Sequence, residues 1–158
     1  MTYQRFEDLP VWKSAIELAE QIYSLTEKSP FNKKYSLRDQ IERAALSISN
    51  NIAEGFERGT TQELLTFLYI ARGSAGEVRS MLCFFERLPD FDFFKSEISN
   101  LKSLAESISR QLRAWADSLQ NTEIRGQRYL NEKERKSSKS KRERQEFLES
   151  LKEQQKHK

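Results

Sequence analysis

The sequence predicts an all-α protein, an antiparallel up-down-up-down four-helix bundle over residues 5–120 with a charged C-terminal extension, helical or disordered, over 121–158. Three observations predict it. Apolar residues recur at three- and four-residue intervals through four long segments, the spacing of helices that each bury one face. Five glycines and three prolines in 158 residues leave long stretches without a helix breaker. Hydrophobic residues make up 37% of the chain and charged residues 32%, enough of the first for a core and of the second for a solvated surface.

The first segment runs from about Leu9 to Lys28. Asp8 is placed to cap its N-terminus, and Pro10 falls in the first turn, where a missing N–H does no harm. Trp12, Ile16, Ala19, Ile22 and Tyr23 recur on its core face, and "KSPFNKKYS" breaks it. The second segment starts at Ser36, with Asp39 three residues on in a variant of the reciprocal cap. Its stripe is Leu37, Ile41, Ala44, Ala45, Ile48 and Ile52, and Gly55 to Gly59 is expected to close it, glycine taking the left-handed conformation. The third segment opens on Thr60 with Glu63, the reciprocal cap again. Leu64, Leu68, Ala71, Ala75, Val78, Leu82 and Phe85 follow as its core stripe until Pro89. A fourth runs from about Asp92 to Leu119, with Phe94, Ile98, Leu101, Ala105, Ile108, Leu112, Trp115 and Leu119 on one side. Short connections make sequential helices antiparallel neighbours.

Composition argues against most catalytic chemistry. The lone histidine, His157, is next to last in the sequence, too near a chain end to be held to catalytic geometry. One cysteine, Cys83, excludes an intramolecular disulfide and a multi-cysteine zinc site; beside the core stripe, it reads as a small buried hydrophobe. The serines therefore lack a base. "GSAG", residues 73–76, lies mid-helix with no preceding strand and no following Lys-Ser/Thr, unlike a phosphate loop. The carboxylates lie on polar faces beside Lys or Arg, as on a solvated surface. The expectation is a protein with no enzymatic activity, no metal and no cofactor. With no hydrophobic signal region and no apolar run of membrane-spanning length, no membrane partner and a cytoplasmic location are expected.

Two helix faces do not fit plain amphipathic helices. In "SISNNIAEGFERGTTQE", residues 47–63, Ser47, Asn51, Glu54 and Arg58 form a stripe beside the core stripe, at about 100° per residue. Polar groups at such a boundary need hydrogen-bond partners. Ser74 and Glu77 of the third segment, with Arg43 and Arg72, are the candidates. A buried network that sets helix register or subunit pairing is the favoured reading, and a ligand or nucleic-acid site the alternative. On the third segment, Phe67, Ile70, Ser74, Glu77, Met81 and Phe84 form a second face too apolar for solvent. Phe67, Ile70, Met81 and Phe84 are thus expected to contact a neighbouring subunit, unless they make a wide contact within the chain. Gly73 and Gly76 would permit close helix approach in either case.

"FEDLPVWKSAIELAEQIY", "SISNNIAEGFERG" and "FLYIARGSAGEVRSML", in that order, closely resemble the four-helix-bundle proteins named after 23S ribosomal RNA intervening sequences. The resemblance covers about residues 5–118. It implies a ring-shaped homopentamer, without enzymatic activity. Through the similar accessory variability determinant of diversity-generating retroelements, it also implies nucleic acid and a reverse transcriptase as partners. The family's recurrent positions fall here on Asn51, Ile52, Ala53, Glu54, Gly55, Arg58, Ala71, Gly73, Ser74 and Glu77. Of these, Asn51, Glu54, Gly55, Arg58, Gly73, Ser74 and Glu77 are expected to form a structural or oligomer network.

The extension lies beyond that resemblance and is read from its charge. Residues 1–120 hold 15 Lys and Arg against 17 Asp and Glu, whereas residues 121–158 hold 12 against 7, so the basic character belongs to the tail. Arg125, Arg128, Lys133, Arg135, Lys136, Lys139, Lys141, Arg142 and Arg144 are its candidate nucleic-acid contacts, where cations gain affinity by releasing phosphate counterions. A merely solubilising tail is the alternative. The functional expectation is an oligomeric bundle that binds structured RNA, with a protein-interaction scaffold as the competing reading. In the scaffold reading, Phe91, Phe93 and Phe94 of "LPDFDFF" either dock a partner or plug the end of their own bundle.

Overall fold

The computed structural model describes residues 3–121. Four helices, α1 (Pro10–Thr26), α2 (Tyr35–Glu57), α3 (Thr61–Phe85) and α4 (Lys95–Asn121), are joined through short 3-10 turns at Phe31–Lys33 and Pro89–Phe94, with a third turn at Phe6–Asp8. No strand occurs among the described residues. Each helix packs on the next, and α1 closes against α4, which makes the expected antiparallel bundle.

The α3 stripe reads directly as core: Leu64, Leu68, Ala71, Ala75, Val78, Leu82 and Phe85 are all buried. So are Ile41, Ala44, Ala45, Ile48 and Ile52 of α2, with Leu37 half-buried beside them. On α4, Ile98, Leu101, Ala105, Ile108 and Leu112 are buried, while Phe94, Trp115 and Leu119 pack at the edge. Thr60 caps α3 as expected: its Oγ1 accepts the Glu63 N–H at 3.2 Å. The hydroxyl also donates to Glu63 Oε2 at 2.7 Å, which ties down the end of the helix.

Several local expectations are corrected. Asp8 ends the Phe6–Asp8 turn, and Leu9 stands at the N-cap of α1 with no side-chain cap. The core face of α1 is Val11, Ala15, Leu18, Ala19, Ile22, Leu25 and Thr26. Trp12 and Ile16 are only half-buried and Tyr23 is exposed. Small and aliphatic residues pack the interior, while Trp12 meets the Phe6 ring edge-on at 5.3 Å. The α2 helix begins at Tyr35 on an uncapped Lys34, which places Ser36 inside the first turn. No glycine closes it, since no described glycine has positive φ. Arg58 instead turns to extended backbone, and its N–H satisfies the Glu54 and Gly55 carbonyls. Before α4, residues Pro89–Phe94 wind as a 3-10 turn, so the helix starts three residues later than its apolar spacing suggests. Cys83 is exposed, contrary to its reading as a buried hydrophobe.

Aromatic rings close one end of the bundle. Phe31 sits 4.2 Å from Phe91, 5.2 Å from Phe85 and 5.4 Å from Phe94, ring centre to ring centre. Phe91 is fully buried, whereas Phe93 is 92% exposed. "LPDFDFF" is therefore a plug through Phe91 and Phe94, with one ring left outside.

Candidate functional site

Six of the seven polar and glycine positions singled out as a network, Asn51, Glu54, Gly55, Arg58, Ser74 and Glu77, lie along the seam between α2 and α3. Asn51 Nδ2 donates to the Ser47 carbonyl at 2.7 Å and to Ser47 Oγ at 3.0 Å. Ser47 Oγ lies 2.9 Å from Ser74 Oγ across the seam, and Ser74 Oγ reaches the Ile70 carbonyl at 3.2 Å. One proton order satisfies the whole chain: Asn51 gives to Ser47, Ser47 to Ser74, and Ser74 to the α3 backbone. Each hydroxyl then donates once and accepts once, so both donors are satisfied within the seam. The chain locks the rotation of α2 against α3.

One turn further along α2, Gly55 faces Phe67. A Cβ built on Gly55 would stand 2.8 Å from Phe67 Cβ and 3.2 Å from Leu64 Cδ1, so only glycine lets the helices approach this closely. The Arg58 guanidinium lies 5.1 Å from the Phe67 ring centre. It is paired with Glu54 and lies 3.8 Å from Glu63. The hydrogen bond that Arg58 donates to Glu54 is the main cause that raises the Arg58 pKa above its ordinary value. Arg58 thus ties the end of α2 to the capped start of α3.

The expected partners resolve differently from one another. Ser74 joins Ser47 as expected. Glu77 instead accepts from Gln40 Nε2 at 3.1 Å, and Arg43 pairs with Asp39 along its own helix. Arg72 is not part of the seam. Gly73 points outward, and neither Gly73 nor Gly76 has any atom within 4 Å of an added Cβ, so neither glycine serves a contact within the described chain.

The second face of α3 divides. Met81 and Ser74 are buried inside the bundle and Phe67 is half-buried under Arg58, which removes Met81 from the exposed set. Ile70 and Phe84 stay 46% and 48% exposed, joined by Tyr69 at 43%. Around them, Gln62, Thr66, Gly73, Gly76 and Ser80 are exposed and uncharged, while Glu77, between Ile70 and Phe84, is exposed and charged. The outward faces of α1 and α4 differ, carrying exposed Lys13, Glu17, Glu20 and Glu27, and Arg110, Arg113 and Asp117. The signal for this surface in the sequence is glycine and serine at outward positions where a solvated helix favours Lys and Glu.

Among the described residues no three His, Cys, Asp or Glu side chains gather where a metal ion could be held, and no helix is long and apolar enough to cross a membrane. The family model of the 23S rRNA-intervening sequence protein matches residues 7–114. The chain belongs to that family. In this member of the 23S rRNA-intervening sequence protein family, the matched span covers α1, α2, α3 and most of α4, including the whole α2–α3 seam. No curated protein matches the chain significantly. The candidate cations from Arg125 to Arg144 lie outside the described residues.

Proposed function

We propose that this 23S rRNA-intervening sequence protein is a non-enzymatic bundle that self-associates, as a homopentameric ring, and binds structured RNA in the cytoplasm, alongside a reverse transcriptase where one is encoded nearby. The observation that carries the assembly is the outward face of α3, built from Tyr69, Ile70, Gly73, Gly76, Ser80 and Phe84, with Glu77 as its charged member. Large apolar groups rarely remain in water beside backbone-thin positions unless another surface covers them. RNA is supported by the description of the family and by the net +5 of residues 121–158, which a ring would concentrate into one basic fringe.

Assembly is tested at Gly76. Gly76→Arg adds a side chain into open space on a single subunit, so the helix folds, but the arginine obstructs a facing copy. Light scattering is expected to give a multiple of the 18.6 kDa chain mass for the parent protein and a smaller species for the variant. A parent protein that is monomeric at micromolar concentration rejects the assembly.

RNA binding is tested by salt. With Arg135, Lys136, Lys139, Lys141, Arg142 and Arg144 replaced by glutamine, the slope of log Kd against log salt is expected to flatten by about 4 to 5 units if each cation meets a phosphate. An unchanged slope removes the extension as the binding element.

A protein-interaction scaffold is the second reading, favoured by the exposure of Phe93, 92%, and Tyr35, 78%. It gains if nuclease-treated extract yields one stoichiometric protein partner that Phe93→Ala loses.

A further inference from the structure

Nine arginines lie among the described residues, and six of them, Arg5, Arg38, Arg43, Arg58, Arg110 and Arg113, hold a carboxylate in an ion pair. The three without one, Arg72, Arg79 and Arg87, belong to α3 and the turn that follows it. Their spacing of seven and eight residues puts them two turns apart on one side of the helix, about 10 to 12 Å from one to the next. That side borders α4. Tyr69, three residues before Arg72, accepts from Gln120 of α4 at 3.1 Å. Glu86, seven residues after Arg79, is held by Lys102 of α4 at 2.6 Å.

The nearby carboxylates are already taken. Glu86 is held by Lys102, Glu106 by Arg110 and Asp117 by Arg113. Arg79 and Arg87 are exposed and Arg72 is half-buried, so the line presents three positive charges that the fold does not neutralise. Unlike the other six, these three have no carboxylate partner among the described residues. Guanidinium forks match phosphate oxygens two at a time, which is why arginine more than lysine marks phosphate contacts.

We infer that Arg72, Arg79 and Arg87 form a phosphate-binding line on the α4 side of α3, which takes the sugar-phosphate backbone of a nucleic acid that also engages the basic extension. This rests on the RNA-binding reading and adds to it a site on the folded bundle. The described part of α4 ends at Asn121, next to Gln120, which reaches Tyr69 at 3.1 Å. The line borders the face assigned to assembly, since Gly76 lies four residues after Arg72 and three before Arg79.

The test uses the full chain and a short fluorescein-labelled RNA duplex, with anisotropy measured over a salt series. Arg72→Gln/Arg79→Gln/Arg87→Gln is expected to weaken binding at low salt and to flatten the salt slope by about 2 to 3 units. The corresponding triple lysine variant keeps most of the slope. All three side chains lie outside any ion pair, so the helical circular dichroism should be unchanged. A glutamine variant with parental slope, in a protein whose extension variant has lost slope, overturns the line and leaves RNA binding standing. A parent protein that binds no duplex even at low salt removes the RNA reading itself, and the line with it. Equal affinity for labelled polyglutamate would assign the line to an acidic protein and overturn the nucleic-acid site.

Discussion

Phe91→Ala is expected to destabilise the protein by about 3 to 5 kcal/mol, the range for losing a fully buried phenylalanine. Phe91 is fully buried and lies 4.2 Å from Phe31 and 5.3 Å from Phe85, ring centre to ring centre. These residues come from the α1–α2 turn, the end of α3 and the α3–α4 turn, so no single helix can collapse to refill the space. The control lies two residues away. Phe93→Ala should change stability by no more than about 0.5 kcal/mol, because Phe93 is 92% exposed. Urea unfolding of both variants checks the pair. Equal losses would mean that the exposed ring is part of the plug, and a negligible loss for Phe91→Ala would mean that the end of the bundle is not packed as described.

Gly55→Ala carries the second large effect, and its sign is opposite to helix propensity. Alanine in place of a mid-helix glycine ordinarily gains about 1 kcal/mol. At Gly55 the new methyl would stand 2.8 Å from Phe67 Cβ, an atom fixed to the α3 backbone that no rotamer can move. The helices must separate, and overpacking of this kind costs about 1 to 3 kcal/mol, enough to cancel the gain and leave a net loss of about 1 kcal/mol. Gly73→Ala and Gly76→Ala, which meet nothing within 4 Å, should stabilise an isolated subunit. Thermal melts of the three variants decide it. A Gly55→Ala protein more stable than its parent would show that the seam can open at no cost.

These glycines separate two roles that composition merges. Gly55 serves a contact inside the subunit, and its neighbours Asn51, Ser47 and Ser74 form a hydrogen-bonded chain that fixes helix rotation. The motif "NIAEG" is accordingly a packing device. Gly73 and Gly76 thin the outer face of α3 instead, beside exposed Tyr69, Ile70 and Phe84.

Much of the seam was legible because helical periodicity is a local property. Ser47, Asn51, Glu54 and Arg58 share a stripe at any crossing angle, and their placement beside the core required partners on the next helix. Which partners they took was not legible, since that depends on the axial offset between α2 and α3. Glu77 consequently fell opposite Gln40, a full two turns or more from Asn51. Arg72 was assigned to the seam from its type alone, whereas its position three residues after Tyr69 sends it to the α4 side.

By itself the sequence determined the number of helices, the seven-residue core stripe of α3 and the Thr60–Glu63 cap. Each of these follows from spacing or charge within one short stretch of chain. The tertiary structure alone decided which face of α1 packs, why Gly55 must be glycine, that Cys83 and Phe93 face solvent while Phe91 does not, and which arginines lack an anion. Those outcomes depend on distances between atoms far apart in the chain, and only helix packing brings such atoms together.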